Sequence, residues 1–398
     1  MSKIRLKLLL GHFRILEMIL IFIILSSKSW AQTDSLYSIP KWAMNGFIRV
    51  PKVNPLISPI PNSRFWDPLQ NKEIEWESSD TFNPGAAVYR NHIIVLYRAE
   101  DNSGTGIGFK TSRLGYAISP DGIHFHRKNG PVLFPGLDPQ KKYDFPGGCE
   151  DPRIACSTEG IYYVFYTSWN REIPRLSLAT STDLIHWHKK GPIFAQAYHG
   201  KFLNIPSKSA SILTKIIGGK QLIYRFKGHY WMYWGEEHVY MAKSKDLIHW
   251  TPLLNPDSSL FFTMSPRKGF FDSELTECGP PALWTPKGIL LFYNGKNKSG
   301  IDGDSRFNPT AYCAGQALFD PNNPEKYLSR LDLPFFIPKE PFEKSGQYPG
   351  GTVFMEGMAY FKKKWYLYYG CADSRVGVAC MDPLHSKKSN LIPIPHKF

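Results

Sequence analysis

Short runs of aromatic and β-branched residues recur along the chain, each bounded by glycine, asparagine or proline. Examples are residues 93–97, 161–166 and 229–234. Such runs between turn-forming residues are typical of buried β-strands. The pattern therefore predicts an all-β fold.

A Ser-x-Asp-x-Ile-His-aromatic pattern follows these runs at intervals of about 62 residues, beginning at Ser119, Ser181 and Ser244. Its Ser and Asp side chains can bond backbone amides in a tight turn between two strands. Weaker copies occupy residues 315–320 and 377–382. Repeats of this length are stacked units that bury their apolar faces against their neighbours. Roughly 330 residues at this spacing predict a five-bladed β-propeller.

The first 31 residues lie outside the repeat. Basic residues precede an apolar run at 18–25, and Ser29-Trp30-Ala31 places small residues where a signal peptidase cuts. We expect a signal peptide at 1–31 and export to the periplasm or the medium. The run is too short to span a bilayer, so no stable membrane insertion is expected. We assign residues 32–75 to an N-terminal extension packing on the propeller and residues 76–398 to the catalytic propeller.

Composition narrows the range of partners. The formal charge is +14, of which the predicted signal peptide carries five basic residues and one acidic residue, leaving about +10. The basic residues are scattered, so no nucleic-acid partner is expected. Aromatic residues make up 15% of the chain, which suits both propeller cores and stacking on sugar rings. The six cysteines show no metal-site spacing, so we predict no metal or cofactor, while free thiols and one or two disulfides both remain open.

The first candidate for chemistry is Gly147-Gly-Cys-Glu150-Asp151-Pro-Arg153. The glycines allow the backbone to approach a ligand closely. Adjacent carboxylates repel each other, which raises one pKa and suits a general acid. A structural alternative is that Asp151 caps a turn and Arg153 pairs with Glu150.

Further carboxylates stand at the ends of predicted strands. Glu236 and Glu237 follow an aromatic strand, and Glu274 and Glu277 precede a rigid Gly-Pro-Pro turn. The alternative for Glu237 and Glu274 is that they are ordinary surface charges. A set of polar residues suits a pocket for a hydroxyl-rich ligand, with salt bridges between blades as the competing explanation. This set is Asn83, Arg98, Arg113, Glu150, Lys208 and Asp373.

The ordered series of motifs resembles glycoside hydrolase family 130 over about residues 80–382. The motifs are Asn83-Pro, Tyr97-Arg98-Ala-Glu100-Asp101, Ser112-Arg113-Leu-Gly115, Glu150-Asp151-Pro-Arg153, Ser207-Lys208-Ser209, Glu277-x-Gly-Pro-Pro281 and Tyr369-Gly-x-Ala-Asp373. The resemblance implies a five-bladed propeller acting on β-mannosides with inversion, by phosphorolysis or hydrolysis. It implies that Asp151 is the general acid, acting through a mannose hydroxyl. It also implies that Asn83, Arg98 and Asp373 hold the sugar of a mannose-containing oligosaccharide.

The chain departs from the family's phosphorylases where they carry phosphate-binding cations. Glu236 and Glu277 stand near those places, and a carboxylate there repels phosphate. An inverting hydrolase needs a carboxylate opposite its acid to deprotonate water. Glu236 and Glu277 therefore resemble the water-activating pair of the hydrolytic branch, which is similar to exo-acting β-1,2-mannosidases. In this interpretation Lys208 orients Glu277 or a sugar hydroxyl.

Other functions compete with this hypothesis. The first alternative is an inverting β-mannoside phosphorylase. The repeated Ser-x-Asp is similar to the Asp boxes of sialidases, but those have Gly where this chain has Ile123, Ile185 and Ile248. Five-bladed arabinanases and fructosidases also use three carboxylates. A propeller that only binds glycans is the non-enzymatic alternative.

Overall fold

The structure, a computed structural model, describes residues 36–383 and 391–393. Strands dominate this part of the chain, and its one α-helix, α1, spans Lys141–Asp144. The prediction of an all-β fold is confirmed. Across the described residues we find no helix that is long and apolar enough to cross a membrane. The predicted signal peptide lies outside the described residues.

The described part of the chain begins with four short strands. These are β1 (Leu36–Ser38), β2 (Ile48–Arg49), β3 (Phe65–Asp67) and β4 (Lys72–Ile74). β3 and β4 form a small hairpin of their own. The other two strands pair with the far end of the chain, as described below.

Two antiparallel units follow and share one sheet. Their strands are β5 (Asp80–Tyr89), β6 (His92–Glu100), β7 (Ser112–Ser119) and β8 (His126–Arg127), then β9 (Gly148–Cys156), β10 (Tyr162–Trp169), β11 (Pro174–Ser181) and β12 (His188–Pro192). The units are joined because β7 and β9 pair in parallel, with Ser112 opposite Gly148. An apolar cluster that includes Leu96, Leu114 and Val164 fills the space between them.

A second sheet holds the next two units. Its strands are β13 (Ala210–Ile217), β14 (Lys220–Ile223), β15 (Arg225–Phe226), β16 (His229–Trp234), β17 (Val239–Ser244), β18 (Trp250–Pro252) and β19 (Phe262–Met264), then β20 (Leu275–Cys278), β21 (Ala282–Thr285), β22 (Gly288–Lys296), β23 (Tyr312–Asp320) and β24 (Asn323–Arg330). Here β13 and β21 pair in parallel, with Leu213 opposite Ala282.

The last unit is completed by the beginning of the chain. Its strands are β25 (Val353–Phe361), β26 (Lys364–Cys371) and β27 (Arg375–Met381), and a short β28 (Leu391–Pro393) follows. β2 pairs with β27, and β1 pairs with β28. The last unit also packs on the first, since Val95 and Tyr368 share one apolar cluster. N-terminal and C-terminal segments are therefore held together.

Antiparallel pairing sorts the loops to two opposite ends of each unit. β5 begins at Asp80 opposite Glu100, where β6 ends, and the loop from β6 to β7 lies at that end. The turns from β7 to β8, from β11 to β12 and from β17 to β18 lie at the other end. We call the end marked by Asp80 and Glu100 the site end.

The three Ser-x-Asp turns are structural, as predicted. In the second copy, Asp183 Oδ1 accepts hydrogen bonds from the backbone N–H groups of Ile185 and His186, and its Oδ2 lies 2.7 Å from His186 Nδ1. Partial burial of Asp183 opposes ionisation, but these bonds and the Ser181 hydroxyl hold its pKa well below the usual range. The copies at Asp121 and Asp246 have the same bonds.

A second repeat, which the sequence pattern did not reveal, links buried tyrosines to carboxylates. The hydroxyls of Tyr97, Tyr293 and Tyr369 donate to Glu77, Asp272 and Glu343 at 2.7, 2.7 and 2.9 Å. Each carboxylate is also paired with an arginine. These arginines are Arg127, Arg267 and Arg49. The next strand carries glycine beneath each ring, because an added Cβ would lie 2.3–2.5 Å from the ring carbon that bears the hydroxyl.

All six cysteines lie in the described residues and are unpaired. Cys149, Cys278, Cys313 and Cys371 are buried. Of the two alternatives that the sequence left open, the structure favours free thiols.

We predict that Asp183→Ala lowers the free energy of unfolding by about 1–2 kcal/mol, because two backbone N–H groups of the turn lose their acceptor. Chemical denaturation measures this change. Thr182→Ala is the matched control, since Thr182 is exposed in the same turn and its loss should stay within about 0.5 kcal/mol. Equal losses in both variants would contradict the role given to the aspartate.

Candidate active site

Polar residues interrupt the first strands of three units at β-bulges. The register shifts at Asn83 in β5, at Asp151–Pro152 in β9 and at Glu356 in β25. Asn83 and Asp151 have φ of 44° and 51°, a left-handed conformation that Asn and Asp adopt more readily than other residues. Bulges re-aim side chains, and strained backbone is concentrated at functional sites. These features identify the site end of these three first strands as the candidate active site.

Asp151 is held by two donors on neighbouring strands. Asn83 Nδ2 lies 3.0 Å and Arg98 Nη1 lies 3.2 Å from Asp151 Oδ1. Burial favours the neutral carboxyl, but Arg98, Lys208 and Arg153 outweigh it and lower the pKa of Asp151 to about 2. In the free protein Asp151 is therefore ionised.

Arg98 binds three carboxylates. Its Nη2 lies 2.6 Å from Glu100 Oε1 and 2.9 Å from Glu150 Oε1, in addition to the contact with Asp151. Burial, reinforced by the charges of Asp151 and Glu100 against the effect of Arg98, raises the pKa of Glu150 to about 7. The sequence argument that one member of the adjacent pair has a raised pKa holds for Glu150. It does not hold for Asp151.

Asp373 reaches the same cluster from the loop between β26 and β27. It has a left-handed backbone with φ of 51°. Burial raises its pKa to about 7, with Asp151 and Glu100 adding to the effect and Arg98 opposing it. Of the predicted sugar-binding residues, Asn83, Arg98, Glu150 and Asp373 are thus brought together around Asp151.

Glu236 and Glu277 form a second carboxylate group around Lys208. Lys208 Nζ lies 3.4 Å from Glu236 Oε1 and 3.7 Å from Glu277 Oε1, and the Ser209 hydroxyl donates to Glu277. Burial raises the pKa of Glu277. Burial alone would lower the pKa of Lys208, but the two carboxylates raise it well above its usual value. Glu236 remains about half exposed, so this group faces solvent on one side.

Backbone bonds fix Glu236 relative to Glu277. The Thr276 N–H donates to the Glu236 carbonyl at 3.2 Å, and the Cys278 N–H donates to the Gly235 carbonyl at 3.1 Å. Gly235 has φ of 118°, which allows the chain to turn sharply before Glu236. The neighbouring Glu237 side chain is 72% exposed.

Arg113 lies apart from these groups. Its guanidinium is 1% exposed and binds Asp67 at 2.6 Å and Asp101 at 2.7 Å. These salt bridges tie the N-terminal hairpin to the first unit, whereas the competing explanation expected salt bridges between blades. A role for Arg113 in substrate binding stays a prediction.

Sequence reasoning missed Glu356, and it misplaced the partner of Arg153. Arg153 Nη1 lies 2.9 Å from Glu356 Oε1 rather than pairing with Glu150. A single carboxylate inside the apolar run of β25 was the available signal, because a buried charge requires a partner. Among the described residues, no group of three or more His, Cys, Asp or Glu side chains is placed to hold a metal ion.

Chemically, the site offers two carboxylate groups with different surroundings. The first group surrounds Asp151 and offers hydrogen-bond donors and acceptors for hydroxyl groups. In the second group, Glu236 and Glu277 both contact Lys208. Such a pair of titratable groups is what general acid and base catalysis requires.

Comparisons with known proteins also indicate an enzyme that acts on carbohydrates. Residues 54–384 match a family model described as β-1,4-mannooligosaccharide phosphorylase, Glyco_hydro_130. A 1,2-β-oligomannan phosphorylase of Thermoanaerobacter sp. (strain X514) is 31% identical, over 79% of this chain and 94% of its own. A glycosyl hydrolase structure from Bacteroides ovatus is 59% identical with a TM-score of 0.88, covering 90% of this chain and 99% of its own.

A further solved structure is 57% identical with a TM-score of 0.89, covering 91% of this chain and 100% of its own. It is described in the words "The GH130 family of mannoside phosphorylases contains glycoside hydrolases that target beta-1,2 mannosidic linkages in Candida mannan". The similar proteins thus include both phosphorylases and hydrolases.

We predict that Glu150→Gln weakens the pH dependence of stability between pH 5 and pH 8. Glu150 has a pKa of about 7 in the folded protein against 4.5 for an unperturbed glutamate. Its neutral form therefore contributes stability that is complete below about pH 4.5 and is lost as the pH rises through 7. Glutamine does not titrate, so the melting temperature should fall less than in the wild type.

Calorimetry at the two pH values measures this difference. Glu159→Gln is the control, because Glu159 is exposed at the opposite end of the second unit and should leave the slope unchanged. If the melting temperature falls equally in the wild type and in Glu150→Gln, Glu150 is not the group that loses a proton between pH 5 and pH 8.

Proposed function

The chain belongs to glycoside hydrolase family 130, and from this premise we propose that it hydrolyses β-mannosides, releasing terminal mannose with inversion. The observation that carries the proposal is the pairing of Glu236 and Glu277 around Lys208. β-1,2-linked substrates are the first choice, because a solved relative at 57% identity is described with that linkage.

The architecture that we propose is a five-bladed propeller. Each antiparallel unit would be one blade, and β2 would close the last blade beside β27. The parallel joints between units and the packing of the last unit on the first support this arrangement. We also propose that the protein is exported, on the signal-peptide pattern of residues 1–31.

Asp151 would act as the general acid. Asn83 and Arg98 fix one of its oxygens, which orients the carboxyl toward the bound sugar. The ionised state of Asp151 in the free protein is not an obstacle, since Glu150 shares Arg98 with it and titrates near pH 7. Two carboxyls coupled in this way take up protons as a pair. Asp151 would pass the proton taken up by this pair to the leaving oxygen through a mannose hydroxyl.

Glu236 and Glu277 would deprotonate the attacking water. Burial makes Glu277 a stronger base than a solvated glutamate, while Lys208 keeps the two carboxylates close together. Two negative charges on one positive charge also disfavour inorganic phosphate, because like charges within a few ångströms repel strongly at low dielectric. Water, which is neutral, meets no such barrier.

Phosphorolysis is the second candidate. The relative from Thermoanaerobacter is named as a phosphorylase at 31% identity, and Lys208 is a cation that could contact phosphate. In that case Lys208 would have to exchange its carboxylate partners for the phosphate.

We predict that β-1,2-mannobiose yields free mannose at a rate that does not depend on added phosphate. Chromatography of the products with and without phosphate measures this directly. If mannose 1-phosphate forms in proportion to the added phosphate, the enzyme is a phosphorylase and the proposal of hydrolysis is wrong. Binding of the disaccharide with no product under either condition would indicate a glycan-binding protein.

We further predict that Asp151→Asn and Glu277→Gln each lower kcat by about 10²–10⁴-fold, the usual contribution of a general acid or base. Glu237→Gln is the matched control, since it lies next to Glu236 with a largely exposed side chain. Its kcat should stay within about twofold. Full turnover in Asp151→Asn would remove Asp151 from the mechanism.

A further inference from the structure

Arg153 lies behind the candidate active site and connects its two halves. It follows Asp151 by two residues on β9, and its side chain is 1% exposed. Nη1 donates to the Asp151 carbonyl at 3.0 Å, and Nη2 donates to the Cys278 carbonyl at 3.0 Å. One rigid guanidinium therefore bonds the backbone beneath the proposed acid and the backbone next to Glu277.

A third strand holds this guanidinium in place. Glu356, at the bulge of β25, is fully buried, and its Oε1 lies 2.9 Å from Arg153 Nη1. Within the described residues neither oxygen of Glu356 has an aligned hydrogen-bond donor, so Arg153 is its principal partner. Burial raises the pKa of Glu356 well above its usual value and Arg153 opposes that rise, so it is the shape of the carboxyl group and its contact with Arg153 that restrict the guanidinium.

We propose that Arg153 and Glu356 are positioning residues that set the separation between Asp151 and Glu277. This inference rests on the proposed function, because an inverting hydrolase needs its two carboxyl groups about 6.5–9.5 Å apart to leave room for one water. Neither residue is required to touch the sugar. The guanidinium is a spacer whose two ends are fixed to the two strands that carry the reacting groups.

The geometry explains why arginine is needed there. The planar guanidinium presents several donors at fixed angles, whereas lysine presents one nitrogen on a flexible stem. A lysine could keep the charge near Glu356, but it could not bond both carbonyls in the same geometry. The Nη2 atom also lies 3.9 Å from Glu277 Oε1, so a guanidinium that moves would change the surroundings of the proposed base.

The test compares Arg153→Lys with Glu356→Ala and Glu356→Gln on β-1,2-mannobiose. We expect Arg153→Lys and Glu356→Ala to lower kcat by about 10- to 100-fold and to leave KM within about threefold. The reason is that displacing a reacting carboxyl group by about 1 Å costs roughly that much in rate. Glu356→Gln keeps the shape and an oxygen toward Arg153, and should retain kcat within about fivefold of the wild type. This split of kcat from KM, with rescue by the conservative variant, is not expected of a residue that only stabilises the fold.

Arg267→Lys is the matched control. Arg267 likewise binds a buried carboxylate, Asp272, and a backbone carbonyl, that of Leu331. The Arg267→Lys variant should have a lower melting temperature than the wild type, with little change in kcat. Melting temperatures of all variants are compared at the assay pH.

Three results would overturn the inference. They are a kcat within twofold in Arg153→Lys, a rise in KM at unchanged kcat, and a Glu356→Gln variant as slow as Glu356→Ala. Failure of the proposed function is recognised separately, because it would appear in the wild type as mannose 1-phosphate or as no product.

Discussion

Burying several carboxylates close together is the constraint on which this structure depends. Glu100, Glu150, Asp151, Glu277 and Glu356 are all buried near the site end. Each would cost several kcal/mol if it were ionised without a partner. Arg98 contacts three of them, Arg153 contacts two, and Lys208 contacts Glu277 together with the half-exposed Glu236. The positions of these three cations therefore fix the positions of the acidic groups.

Away from the candidate site, buried carboxylates are stabilised by a different set of partners. In the tyrosine repeat, each buried carboxylate receives both a hydroxyl and an arginine, as Glu77 does from Tyr97 and Arg127. At the candidate site the balance is less complete, and Glu150 and Asp373 have pKa values of about 7. Two carboxyl groups that exchange protons near neutral pH thus lie at the site end, while the opposite end carries the Ser-x-Asp turns.

The sequence predicted what short-range chemistry decides. The aromatic run at 229–234 coincides with β16, and Asp121, Asp183 and Asp246 are turn residues because their bonding partners lie within three positions. The partner of Arg153 could not be predicted, since Glu356 is about 200 positions away and only the fold brings the two together. The placement of the raised pKa on Glu150 rather than Asp151 has the same origin. It depends on how Arg98 and Asn83 divide their bonds between two adjacent carboxyls.

The pairing of Arg49 with Glu343 has a consequence for how the chain is made. Arg49 is part of β2, and it binds a carboxylate 294 positions later while its strand pairs with β27. During synthesis on the ribosome the N-terminal segments emerge first. Arg49 and β2 must then wait for the last unit before their partners exist. On the ribosome the pairing of β2 with β27 therefore cannot precede synthesis of the last unit, and a nascent protein released before residue 381 would lack part of the strand with which β2 pairs.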